Sequence, residues 1–165
     1  MKLPTLAADA QDLLEQFAQQ LDDLGVVVPP SQYVGSGIIA WDGESLTVTL
    51  GTIGQGQPGM PIGTTFIPGD VSVMWATFYV QIIRIAPALS GEGFTSDLTP
   101  SPETLGGAGQ EAVNDGRALV QAAIAIHASY SATGPGEGFV IGPLMPLGPE
   151  GGLSAMRLQI DVSLA

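Results

Sequence analysis

Residues 71–86 limit the possible folds of this chain more than any other segment. Val73, Trp75, Thr77, Tyr79, Gln81, Ile83 and Ile85 take one parity, and Met74, Ala76, Phe78, Val80 and Ile82 take the other. Period 2 sends the two sets to opposite faces of a strand. Both faces are substantially apolar, so both need cover, and such a strand belongs in the centre of a sheet. Helices are expected on one side, and another layer or another subunit on the other. The sixteen residues would span ~50 Å if fully extended. That exceeds an ordinary strand, so a bend, a bulge or a projection beyond the domain is expected.

The remaining periodicities supply its neighbours. Leu6, Ala10, Leu13, Leu14, Phe17, Leu21 and Leu24 recur at threes and fours, with Asp9, Asp12, Glu15 and Asp22 facing away. This predicts a helix over 5–24, capped by Thr5 and ended by Gly25 in a left-handed turn. Val26-Val27-Val28-Pro29-Pro30 then runs extended. Residues 38–41 and 46–53 read as a hairpin around Asp42-Gly43-Glu44-Ser45, since Asp-Gly accepts a tight turn. Ser101-Pro102-Glu103 starts a second helix, weakened by Gly106-Gly107-Ala108-Gly109 at ~1 kcal/mol per glycine. Ala112, Val113, Leu119, Val120, Ala123, Ile124, His127 and Tyr130 continue it to Gly134-Pro135-Gly136.

Short Phe139-Val140-Ile141 leads to a chain reversal at Pro146-Leu147-Gly148-Pro149-Glu150-Gly151-Gly152. A closing strand follows, with Met156, Leu158, Ile160, Val162 and Leu164 on an apolar face and Arg157, Gln159, Asp161 and Ser163 on a wet one. The order is helix, three strands, helix, two strands, without internal repeats. The expected fold is α+β in one domain, residues 1–165: a mixed or antiparallel sheet of about five strands, one face covered by both helices.

Sixteen acidic residues against four basic ones give a formal charge of −12. Lys2, Arg84, Arg117 and Arg157 are scattered, whereas phosphate contacts need clustered cations. Adhesive nucleic-acid binding is not expected. Acidity by itself points first to plain solubility, and it also suits a conduit through which DNA slides. Without cysteine, disulfides, thiolate metal sites and thiol catalysis drop out. The first residues lack a signal-peptide pattern, and no apolar run reaches membrane-spanning length. A chain made and kept in a cytoplasm is expected.

Catalytic patterns are thin. His127 is the single histidine, no HxxH, HxxE or Gly-x-Ser-x-Gly accompanies it, and it reads as structural. Gly35-Ser36-Gly37, Gly54-Gln55-Gly56 and the glycines at 106–109 complete no phosphate loop. Asp22-Asp23, Asp42 with Glu44, and Glu92 with Asp97 are acid pairs without calcium-loop spacing. No enzyme, cofactor or metal is expected. Residues 54–70 hold five glycines and three prolines yet retain Met60, Ile62, Phe66 and Ile67, more apolar side chains than a disordered linker keeps. With Arg84 and Arg157, these four are candidate oligomer or partner contacts. The two arginines lie on strands where charge needs a partner, either within the chain or across subunits.

Three segments carry a resemblance: Ile38-Ile39-Ala40-Trp41-Asp42, Arg84-Ile85-Ala86-Pro87, and the Pro/Gly run at 146–152. Together with the order of elements they resemble the tail terminators of long-tailed actinobacteriophages, which are similar to the lambda-type tail terminator family. Many relatives carry cysteines after the Trp-Asp turn and after the Gly-Gly, and this chain has none. The resemblance implies a structural virion protein at the tail–neck junction, made in the host cytoplasm. It implies a sixfold ring that caps the tail tube, ends its polymerisation and meets a neck or stopper protein. DNA would pass through without specific binding, past the candidate lumen acids Asp42, Glu44, Glu92 and Asp97. A head-completion or stopper protein at the same joint is the near alternative. A monomeric cytoplasmic binding domain, with 54–70 as a ligand lid, is the alternative from another class.

Overall fold

The computed structural model describes residues 3–36, 43–55, 74–86, 102–133, 138–150 and 153–163. The elements are α1 (Leu3–Asp23), β1 (Ser31–Ser36), β2 (Ser45–Gln55), β3 (Met74–Ile85), α2 (Pro102–Thr133), β4 (Phe139–Glu150) and β5 (Leu153–Ser163). They build an α+β fold on a mixed five-stranded sheet ordered β1-β2-β3-β5-β4. β3 is the central strand, antiparallel to β2 and to β5.

Periodicity decides which side of the sheet the helices take. Leu46, Val48, Ala76, Phe78, Val80, Ile82, Leu158 and Ile160 share one face and are buried. From α1, Leu6, Ala10, Leu13, Leu14, Phe17 and Leu21 pack on this cluster, and from α2, Ala118, Leu119, Ala122, Ala123 and Ile126. Burying each large side chain of this set stabilises the fold by about 1.5–3 kcal/mol. Both helices therefore cover the same sheet face.

α1 begins at Leu3, so Thr5 lies inside the helix rather than at its cap. Its end follows the pattern: Gly25 has φ +73°, its N–H donates to Asp22 O at 2.9 Å, and Val26 N–H donates to Leu21 O at 3.0 Å. These two bonds satisfy terminal carbonyls and turn the chain back toward the core. Leu24, placed in the stripe by spacing, is 44% exposed because it falls in this turn. α2 runs unbroken through Gly106, Gly107 and Gly109.

Two strands differ from expectation. The partner of β2 at the sheet edge is β1, which runs parallel to it from Ser31↔Ser45 to Ser36↔Leu50. The anticipated 38–41 arm lies outside the described residues, and Ser31-Gln32-Tyr33-Val34-Gly35-Ser36 has too little apolar patterning to mark β1 in the sequence. An edge strand with half-exposed Tyr33 and Val34 needs little. Second, β4 is not a three-residue strand. It continues through Pro143, Pro146 and Pro149 to Glu150, with register shifts at Ile141/Leu144 and Leu147/Glu150. Proline lacks a ladder donor, but among the described strands β4 pairs only with β5, and an edge strand tolerates that loss. No described helix is long and apolar enough to cross a membrane.

Candidate functional site

Two polar clusters interrupt the sheet, one on each face. The first sits at the end of β3 on the helix side. Arg84 shares the parity of Val80 and Ile82 and faces Ser154 across β5, beyond the apolar rows. There α2 delivers Asp115: Arg84 Nε donates to Oδ2 and Nη2 to Oδ1, both at 3.0 Å. Nη2 also donates to Val27 O at 2.8 Å. Glu44 Oε2 stands 3.8 Å from Nη1 and Glu111 Oε1 4.0 Å from Nε. The Asp115 hydrogen bond pushes the Arg84 pKa above its already high usual value; burial opposes this, and the charges of Asp115, Glu44 and Glu111 add to it. The guanidinium is a permanent cation that ties α2, β3 and the segment after α1 together.

The depression beside it, lined by Ile85, Ala108, Glu111 and Ser154 among others, encloses about 10 Å³, room for one water at most. Arg84 serves there as a clamp between α2 and β3. Among the described residues no group of three or more His, Asp or Glu side chains is placed to hold a metal.

The second cluster lies on the sheet face opposite α1 and α2. Its rows run across the strands as Thr47–Gln81–Arg157, Thr49–Tyr79–Gln159 and Thr52–Thr77–Asp161. The face predicted to be wet along β5 is not wet at Asp161, which is fully buried. Thr77 Oγ1 donates to Asp161 Oδ1 at 2.7 Å, and Gln159 Nε2 reaches both carboxylate oxygens at 3.0 and 3.1 Å. β2 is bulged at Gly51, and the Tyr79 ring fills the space a side chain at 51 would need. The Arg157 guanidinium lies over that ring, 4.9 Å from its centre, a cation–π contact worth about 0.5–2 kcal/mol.

The remaining row is incomplete. Thr47 Oγ1, Gln81 Nε2, Gln81 Oε1 and Arg157 Nε are buried without a hydrogen-bond partner, and they are the only such side-chain atoms among the described residues. All four fall in one cross-strand row. Each unpaired buried group costs about 1–3 kcal/mol.

The candidate contacts thus part company. Arg84 pairs within the chain, while Arg157 makes no ion pair with a described residue. Glu44, a candidate lumen acid, is engaged with Arg84 and accepts from Ile85 N–H at 3.4 Å. Met60, Ile62, Phe66, Ile67, Asp42, Glu92 and Asp97 lie outside the described residues. His127 packs against Phe139 with ring centres 6.0 Å apart, a structural placement. Sequence reasoning missed Asp115, Thr47, Gln81 and Asp161. The available signal was Thr77 and Gln81, polar residues inside an otherwise apolar central strand. No protein-family model matches the chain, and no curated protein matches it.

Proposed function

We propose that this chain is a ring-forming structural subunit that caps a phage tail tube and joins it to the neck. The observation that carries the reading is the exposure of the first part of α2. Its 32 residues extend about 48 Å at 1.5 Å per residue, and no side chain from 103 to 114 is buried. Leu105 and Val113 stand 51% and 63% exposed there. More than a third of a long helix without a buried side chain is surface suited to a neighbouring subunit, and a contact repeated head to tail closes into a ring. The resemblance of the three short segments to tail terminators supplies the place in the virion and the number six.

The charge of −12 supports a bore that DNA passes without being gripped, since like charges repel. The test is native mass across a concentration series, followed by electron microscopy of the assembled species. A ring of about 100 kDa, six times the 16.9 kDa chain, with a central opening is expected. A chain that stays monomeric both free and in intact particles would sink the reading.

A further inference from the structure

We infer that α2 of one copy docks on the Arg84 end of the next, with Arg117 set against Glu44 and Glu111, and Val113 and Ile124 set against Val27 and Ile85. These four are the most exposed large apolar side chains among the described residues, between 55% and 79%. They form two separate pairs. Val27 and Ile85 border the Arg84 clamp: the Val27 carbonyl accepts from Nη2, and Ile85 follows Arg84 on β3 with its N–H donating to Glu44. Val113 and Ile124 stand on one side of α2, about three turns apart. Arg117 lies one turn beyond Val113 on that same side.

Charge selects which surface meets which. At the Arg84 end three carboxylates surround one guanidinium, a surplus of two negative charges. Asp115 is enclosed there, but Glu111 is exposed and Glu44 only half-buried. On the other surface Arg117 is exposed and makes no ion pair with a described residue. Arg84 is buried and Arg157 lies half-buried against Tyr79, so Arg117 is the exposed cation among the described residues. Copies carrying −12 each repel unless a contact brings cation to acid. Glu111 and Val113 sit about 160° apart around α2, which puts the two surfaces on opposite sides of one helix. One copy can use both at once, as a contact repeated head to tail requires. The contact rests on the ring reading only in taking its partner to be a second copy.

The experiment compares Arg117→Glu, Glu111→Arg, Val27→Ser and Asp12→Arg with the parent by sedimentation over concentration. Urea unfolding of each variant establishes that it is folded. Arg117→Glu and Glu111→Arg each set like charges together and are expected to weaken assembly on the order of a hundredfold. Mixed one to one, the two should assemble again, because every contact between them pairs opposite charges. A defect of folding within one chain cannot be cured by mixing. Val27→Ser leaves the clamp's charges alone and should weaken assembly about tenfold. Asp12→Arg, on the exposed face of α1, changes the charge as much as Glu111→Arg does and should assemble like the parent.

A folded Arg117→Glu chain that assembles like the parent overturns the contact, as does a mixture that stays apart as fully as either variant alone. A ring of six that both charge reversals leave whole ends the contact and keeps the ring reading. An open dimer or filament that Arg117→Glu dissolves and the mixture restores does the reverse. A parent that stays monomeric at every concentration overturns the contact, whose two surfaces suffice without a tube, and the ring reading is then decided on intact particles.

Discussion

Arg84 and Asp115 meet edge to edge, Nε to Oδ2 and Nη2 to Oδ1, both at 3.0 Å. Two parallel charge-assisted bonds fix orientation as well as distance, so the pair sets where α2 crosses the end of β3. Both side chains are nearly enclosed, 9% and 5% exposed, which makes the loss of either partner expensive.

Asp115→Ala strands the Arg84 charge and should destabilise the fold by about 3–5 kcal/mol. Replacing both residues, Arg84→Met with Asp115→Leu, should cost less than Asp115→Ala alone, because no charge is left buried. Urea unfolding at neutral pH measures both. Equal losses would show that the pair's value lies in packing.

Phe17→Ala should cost about 3–5 kcal/mol, since Phe17 is fully buried against the sheet. Leu24→Ala should change stability by no more than about 0.5 kcal/mol, although sequence spacing places both residues on one stripe. Thermal melts of the two variants separate the turn from the core.

Gly25→Ala should cost about 1–2 kcal/mol. Nothing lies within 4 Å of an added methyl group, and φ is +73°. The loss would therefore be backbone strain at the α1 terminus and not a clash. A variant as stable as the parent would show that the turn relaxes.

Asp9→Asn should stabilise the fold at neutral pH. Desolvation first, and then the charge of Asp12, raises the Asp9 pKa in the folded chain. A raised carboxyl pKa means that the folded state binds this proton more tightly than the unfolded state does. The group therefore costs stability above its folded pKa, and the cost vanishes as pH falls below its unfolded value. The advantage of Asn over Asp should shrink through that acidic window. Stability curves for both chains against pH check the sign.

Much of this architecture is legible locally. The stripe from Leu6 to Leu21, the two parities of β3 and the alternation of β5 each report a helix or strand with a particular buried face. They do so because 3.6 and 2 are properties of the backbone alone. From them follow two helices on one side of a sheet with β3 at its centre.

Tertiary structure decided what periodicity does not encode. The edge partner of β2 is the weakly patterned β1, held by backbone bonds that any side chain allows. Proline-rich β4 persists as a strand because it needs a ladder on one side only. Arg84 and Arg157 read alike in sequence, as charges on strands, and their fates differ through position. α2 places Asp115 over the end of β3, thirty-one residues from Arg84 along the chain, whereas Arg157 projects from the sheet face opposite α1 and α2. Which carboxylate meets which cation depends on how elements distant in sequence stack, and on that face the stacking leaves Arg157 beside Tyr79 with the buried Gln81 amide still unpaired.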